Sequence, residues 1–525
     1  MSPPSHTGSP FTYVERAQEV GYSLRPAAAG YTDDDGRVVP AVWRIAGPGL
    51  DTVLREDDIE AWLWLVDPEN ARHRRDSTAA GSASPPHRPE PPQVSGPISA
   101  MAAGDPSRDY PQMASWLPLA NDGYVEEEYF ISGRATSYAM PGINTAVALS
   151  TDHPYTTRMV VRRPLTQRRF NGTVVIEWLN VSASSNIDFL WLEAAQSLVA
   201  HGYAYIGVSV QRAGVHAPDT GLRAWSPRRY GSLDVTGGGA ILDDSLCYDI
   251  FSQAALAARS PAGIGPIGPL APQRVVAFGA SQSHRRLANY YNGLQQRHDL
   301  FDGFLMAVGR GGTAVRGDGT TPVIKVNSET DVLSAGYEQV PDSTSLCTWE
   351  VAGASHTTYR LAVSRAVVEA RGDVPPIPYS LCERPPLSRI PLHHAITGAL
   401  ARLDEWITSG LRPPSAPEMR VEERNGSRLA VRDERGNVLG GLRLPQHEVA
   451  TAVNTGVNHG PGLLALCGTH IPFAPDQLVE LYGNTARYRS LIRQAAQRSV
   501  AVGYILDDAA NQAAAEAENV IFGTT

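Results

Sequence analysis

Lysine is almost missing from this chain of 525 residues: Lys325 is the only one, and arginine carries the rest of the positive charge. With abundant alanine, glycine and proline, that bias reads as GC-rich coding rather than mechanism. No dense run of Lys and Arg occurs and the formal net charge is −9. Both argue against a grip on nucleic acid, whose phosphates demand concentrated positive charge, and leave small molecules as the expected partners. No stretch of about 18 uninterrupted apolar residues is present, so no membrane span is expected. The start, M-S-P-P-S-H-T-G-S-P, has neither the basic nor the apolar part of a signal peptide, and a cytoplasmic location is the expectation. Cysteine is scarce as well. Cys247, Cys347, Cys382 and Cys467 contain no C-x-x-C, so neither a zinc knuckle nor a thioredoxin-like pair is indicated. Buried free thiols are expected, with a Cys382–Cys467 bridge as the alternative in an oxidising compartment.

The length suits one large domain with appendages, because single cores stop growing at roughly 250–300 residues. Residues 1–75 read as an extension without an assignable role. Within it, Asp33-Asp34-Asp35-Gly36 lacks the spaced ligands of a calcium loop, and A-W-L-W-L-V at 61–66 is an apolar run suited to packing, with no assignable function. Residues 76–112, rich in Pro, Ser, Gly and Ala, read as a linker. The main domain is expected over 113–525, with a different, cap-like region from about residue 385.

From Gly123 onward, short β-rich runs alternate with helix-length amphipathic segments, the grammar of helices crossing over a mostly parallel sheet. Eight strands are predicted, from V-E-E-E-Y-F-I-S at 125, through T-R-M-V-V-R-R, T-V-V-I-E-W-L, A-Y-I-G-V-S-V, R-V-V-A-F, F-D-G-F-L-M-A-V and P-V-I-K-V-N, to C-T-W-E-V at 347. Helical spacing marks F-L-W-L-E-A-A-Q-S-L-V-A-H-G, stopping at Gly202, and Y-D-I-F-S-Q-A-A-L-A-A-R-S. Farther on, a helix through Ile396–Ile407 ends at Gly410, a hairpin turns at Glu434–Asn437, and a helical tail begins near Asp476.

The fifth strand, R-V-V-A-F, runs into Gly279-Ala280-Ser281-Gln282-Ser283 and then H-R-R-L-A-N-Y-Y-N-G-L. A G-x-S-x-small pattern between strand and helix is the context of a nucleophile elbow, where a strained turn thrusts a serine above the sheet. Positions two before and two after must be small, and Gly279 and Ser283 are. The plainer alternative is that Ser281 caps the helix.

A serine hydroxyl attacks poorly unless a base takes its proton and an acid orients that base. The seventh strand ends in Asn327-Ser328-Glu329-Thr330-Asp331 and the eighth in Ala352-Gly353-Ala354-Ser355-His356. That gives the order Ser281, acid, His356, with Asp331 or Glu329 as the acid. The oxyanion donors are expected at the amide of Gln282 and at that of Asn180 or Val181, in the loop after the third strand.

Linked strings carry a wider likeness: G-Y-V-E-E-E-Y-F-I-S-G-R-A at 123, V-V-I-E-W-L-N-V-S at 174, V-S-V-Q-R-A-G-V at 208, Y-D-I-F-S-Q at 248 and G-A-S-Q-S at 279. E-T-D-V-L at 329, E-V-A-G-A-S-H at 350 and G-N-V-L-G-G-L-R-L-P at 436 extend it. With them the chain resembles a family of α/β-hydrolase domain proteins, serine carboxylesterase-like, from about residue 95 to the C-terminus. The resemblance implies an α/β-hydrolase fold and carboxylic-ester hydrolysis by the residues named. His284 stands where a glycine is expected after S-Q-S, which raises the question of crowding at the elbow.

Other signals point elsewhere less well. Gly309–Ala314 matches G-x-G-x-x-A, but G-D-G-T-T-P follows and cannot start the helix a pyrophosphate needs. His393 and His394 are adjacent on a helix, about 100° apart, and do not converge on one metal ion. Lys325 has no phosphate-cradling loop to support a pyridoxal role, and no cofactor or metal is expected. Trp178, Trp191, Trp225 and Tyr230 are candidates either for a substrate pocket or for core. The reading is a serine esterase acting through an acyl-enzyme on a small-molecule ester. An acyltransferase using the same triad, and a non-catalytic binding protein of this fold, are the alternatives.

Overall fold

In the computed structural model, the described residues are short strands between Ser23 and Arg55 and residues 88–522, apart from 143–144, 311–313, 338, 373–375 and 521. The acidic turn at Asp33–Asp35 and the apolar run at 61–66 lie outside them. The chain divides into two compact units, Met1–His87 and Arg88–Thr525. In the first, Ser23–Ala28, Val42–Gly47 and Leu50–Arg55 form an antiparallel three-stranded sheet, and Tyr31–Thr32 pairs with Val38–Val39.

The second unit is built on nine strands: β1 (Gln93–Ser95), β2 (Tyr124–Gly142), β3 (Thr145–Pro164), β4 (Thr173–Trp178), β5 (Ala204–Val208), β6 (Arg274–Ala280), β7 (Gly303–Ala307), β8 (Val323–Ser328) and β9 (Leu346–Val351). Their order is β9-β8-β7-β6-β4-β5-β3-β2-β1. The pairs from β9 to β5 are parallel, and β3, β2 and β1 add antiparallel. All eight predicted strands are present, and the sheet is mostly parallel with helices on both faces. β4, β5, β7 and β8 are buried along their whole length. Burial on both faces makes parallel strands continuous β-branched runs, and that made them legible.

The ninth strand, β1, corrects the expected linker at 76–112. Its residues pair with Phe130–Ser132 of β2. Nearby, Tyr110 and Gln112 are buried, and the Gln112 amide donates to the Tyr230 hydroxyl at 3.0 Å. Composition misled here because a three-residue edge strand needs no apolar run; part of the expected linker, 76–87, lies outside the described residues.

Two apolar layers sandwich the sheet. One joins α1 (Phe189–Ala200), α4 (Tyr359–Ala370) and α5 (Leu392–Ser409) to one face; α2 (Cys247–Arg259) and α3 (Gln282–Tyr290) cover the other. Gly410, left-handed at φ 75°, ends α5 as expected. Trp178, Trp191 and Tyr230 are fully buried in these layers, with Trp225 nearly so, and act as core. The Trp178 and Trp191 indoles donate to Gln211 and Ser115.

After α5, Val421–Arg424 pairs with Ser427–Ala430 around Asn425-Gly426, both at positive φ. The expected turn at Glu434–Asn437 is present: Arg432 bridges Val438 antiparallel, the Asp433 amide donates to the Asn437 carbonyl at 2.8 Å and the Leu439 amide to the Val431 carbonyl at 2.9 Å. The chain then runs parallel to β9, Leu442 donating to the Glu350 carbonyl at 2.7 Å. This region covers the β9 edge before the tail helices α6 (Thr485–Val502) and α7 (Asp507–Glu518). Among the described residues, no helix is long and apolar enough to cross a membrane.

Candidate active site

Parallel strands bring their carboxyl ends to one rim, where ligands of open α/β sheets bind. β4, β6, β8 and β9 therefore deliver the segments after Trp178, Ala280, Ser328 and Val351 to the same edge.

Ser281 has φ 58° and ψ −118°, a conformation non-glycine residues seldom adopt. Its amide donates to the Ala307 carbonyl at 3.1 Å, anchoring the turn to β7. The hydroxyl makes no capping bond to α3; it lies 2.9 Å from His356 Nε2 instead, so the helix-cap alternative does not describe it. A Cβ on Gly279 would stand 2.8 Å from the Ser283 carbonyl oxygen, which explains the small residue there. Ser283 is fully buried, and its hydroxyl both accepts from the Ala280 amide and donates to the Ala280 carbonyl, each at 2.9 Å. A glycine at position 283 would leave both bonds unmade.

His284 does not crowd the elbow, because it turns toward β7. A Cβ on Gly309 would fall 2.3 Å from its ring, so the absence of that atom is what admits the imidazole. Burial, reinforced by the positive charge of Lys325, pushes His284 down to about 3, and the ring is neutral.

Asp331 sits in a one-turn helix, Glu329–Val332, whose N-cap is Ser328. Its Oδ1 lies 2.6 Å from His356 Nδ1, while Oδ2 accepts from the Ser328 amide at 2.9 Å and its hydroxyl at 2.6 Å. Burial alone would raise this carboxyl; the neighbouring imidazole and the Ser328 donors outweigh it and hold Asp331 below the ordinary range. The structure thus brings together Ser281, His356 and Asp331. Glu329 is elsewhere: it is fully buried and accepts at 2.6 Å from Arg432.

The oxyanion candidates also separate. The Gln282 amide opens α3, where no intrahelical acceptor exists. Asn180 corrects an expectation: its amide donates to the Ile187 carbonyl at 3.1 Å and is not free. Its side chain donates to the Ala280 carbonyl at 3.0 Å, tying this loop to the elbow. Val181 has no such backbone partner among the described residues.

Sequence reasoning missed Thr330, whose hydroxyl accepts from the His356 amide at 3.1 Å and donates to the Gly456 carbonyl at 2.6 Å. It also missed the capping box at Ser328, although S-E-T-D carries its spacing. His393 and His394 do not converge on an ion: His394 meets Gln512 at 3.2 Å, and His393 faces Glu193 at 4.0 Å. Cys382 and Cys467 are free thiols packed in one small apolar cluster.

The family described as alpha/beta hydrolase domain matches residues 94–515. The chain belongs to it. No curated protein matches the chain. Among solved structures, one described for two prolyl endopeptidases is 14% identical over 49% of this chain and 39% of its own length, at a TM-score of 0.26. A cold-adapted esterase from an Arctic intertidal metagenomic library is 12% identical over 47% of this chain and 94% of its own, at 0.24. An esterase from Rhizomucor miehei is 10% identical over 48% and 84%, at 0.26. Likeness at these scores carries no conclusion about chemistry, and membership rests on the family match.

Proposed function

We propose that this α/β-hydrolase domain protein is a serine hydrolase that cleaves a small-molecule carboxylic ester through an acyl-enzyme. The reading is carried by one observation, the approach of the Ser281 hydroxyl to within 2.9 Å of His356 Nε2 from a strained backbone that makes no helix cap. In this reading Ser281 Oγ attacks the ester carbonyl as His356 Nε2 takes its proton. Asp331 fixes the tautomer by accepting from Nδ1, and its depressed pKa keeps it ionised beside the imidazolium that forms. The amides of Gln282 and Val181 receive the oxyanion. His356 then protonates the departing alcohol, and water, activated by the same nitrogen, releases the acid.

A fluorophosphonate probe applied to the wild type and to Ser281→Ala tests this. Labelling confined to the wild type, with turnover of p-nitrophenyl esters of graded size, is the expected result. Labelling that persists in the variant removes Ser281 as nucleophile. Specific labelling without hydrolysis of any ester would move the reading to acyl transfer.

A further inference from the structure

Two carboxylates stand two residues apart in the acid turn, yet only Asp331 meets the imidazole. Glu329 has the longer reach and stands in the same turn. What holds it away comes from the C-terminal region: Arg432 Nη2 donates to Glu329 Oε1 at 2.6 Å, while Nη1 of the same guanidinium donates to the Gly436 carbonyl at 3.2 Å. We propose that Glu329 and Arg432 form a positioning pair that fixes the acid turn and the histidine loop relative to Ser281. The proposal rests on the serine-hydrolase reading above.

Glu329 touches both segments that must be aligned. Its amide donates to the Ala354 carbonyl at 3.0 Å, two residues before His356. Its carboxyl lies near the amides of Gly353, in the histidine loop, and Gly456, in the C-terminal region. At Gly456 the chains meet backbone to backbone: a Cβ there would lie 2.3 Å from the Thr330 nitrogen. Arg428 adds a donor to the Val332 carbonyl at 2.8 Å, and the Thr357 amide donates to Leu466 at 3.0 Å. The acid turn and the histidine loop are therefore both clamped from residues 428–466. Arg432 is the single cation paired with the buried Glu329 carboxylate among the described residues. Burial raises that carboxyl and Arg432 opposes the rise. Without the guanidinium, Glu329 must take up a proton or leave its place, and in leaving it would disturb the turn that carries Asp331.

The test uses the full chain and four variants, Arg432→Met, Glu329→Gln, Glu329→Ala and the double Glu329→Gln/Arg432→Met, read by kcat and KM on a p-nitrophenyl ester and by the rate of fluorophosphonate labelling across pH. Arg432→Met is expected to lower kcat and labelling by about 10–100-fold with KM within about twofold, since orientation rather than binding is lost. The deficit should deepen as pH rises and Glu329 loses its proton. The double variant, with no buried charge to strand, should recover to within about fivefold of wild type, and Glu329→Gln should match it. A purely packing role for Arg432 predicts neither the pH dependence nor the recovery. If Arg432→Met does not fold, Glu329→Ala carries the test, and a loss of at least about tenfold in kcat is expected there. Wild-type labelling at Ser281 together with an unchanged rate in Arg432→Met, or with a double variant as slow as the single at every pH, overturns the pair alone. Absence of Ser281-specific labelling in the wild type overturns the hydrolase reading and this inference with it.

Discussion

The Asp331 carboxylate is divided between two partners, one oxygen 2.6 Å from His356 Nδ1 and the other 2.6 Å from the Ser328 hydroxyl. Ser328 holds the Asp331 carboxylate through a contact separate from the histidine, so its orientation does not depend on His356 alone. Asp331→Asn should keep the fold, because an amide preserves size and can still accept from Ser328. It should lower kcat by about 10³–10⁴-fold, since the amide no longer enforces the tautomer or stabilises the imidazolium. The sign of the pH effect follows from the depressed pKa. A carboxyl held below its ordinary 3.8 stabilises the fold above that value and loses this contribution as pH falls through the lower folded one. Between pH 5 and 9 the Asp331 carboxyl itself should therefore contribute no step, while below pH 4 the urea midpoint of the wild type should fall more steeply than that of Asp331→Asn. Equal slopes of the two proteins below pH 4 would count against the assignment.

His284 and Gly309 form a second coupled pair. Gly309→Ala would put a methyl 2.3 Å from the imidazole Cε1, and overpacking of this kind costs about 1–3 kcal/mol. His284→Ala should destabilise as well by leaving a void. Combined, the two changes should cost less than their sum by about 1 kcal/mol or more, because each relieves the other. Urea unfolding of the four proteins measures the coupling, and strict additivity would show that the ring has another place to go.

The sheet is legible in the sequence because parallel strands buried on both faces cannot help being apolar and β-branched, and the elbow because strand, G-x-S-x-small and helix follow without interruption. Strand position does not choose between Asp331 and Glu329, since both follow β8 within three residues; the capping box around Ser328 decides it by turning position 331 back toward the cap. Asn180 and Val181 stand equal in the sequence because a bridge to Ile187 leaves no trace in the local string. Arg432 is invisible there for a related reason: its partner lies 103 residues away in the chain. The Asn425-Gly426 turn, by contrast, carries a plain hairpin signal, and pairing forms there in addition to the antiparallel contacts around Glu434–Asn437.

Glu193 should give the fold a pH dependence of the opposite sense to that of Asp331. It is fully buried on α1, takes a hydrogen bond from the Thr358 hydroxyl, and burial pushes its carboxyl up to about 7. Between the ordinary 4.5 and about 7 the folded chain then binds more protons than the unfolded one, so stability falls as pH rises through that window. The full change is about 3 kcal/mol, at roughly 1.4 kcal/mol for each step of one in pH between those two values. Glu193→Gln keeps an acceptor for Thr358 without the ionisation. It should flatten that slope and be more stable than wild type above pH 7, as read by urea midpoints at pH 5 and pH 8. An undiminished slope in the variant would assign the effect to another group.

Arg162 tests how far the proposed oxyanion loop depends on what lies behind it. The guanidinium is fully buried and donates to Glu126, Asp188 and the Met113 carbonyl, each at 2.6 Å, with its carbon 4.6 Å above the Trp191 ring. Asp188 directly precedes α1 and follows Ile187, whose pairing with Asn180 shapes the loop that presents the Val181 amide. Arg162→Met strands two carboxylates and should cost about 3–5 kcal/mol, far more than an exposed pair would. Arg162→Lys should restore only part of this, because one ammonium cannot meet three acceptors arranged around a planar fork. If Val181 is an oxyanion donor, the lysine variant should also lose kcat by about tenfold with KM little changed, since a loosened amide weakens the transition state more than the bound ester. Wild-type kcat in a measurably destabilised Arg162→Lys would show that the loop keeps its geometry without the fork, and the second donor would have to be sought elsewhere on the rim.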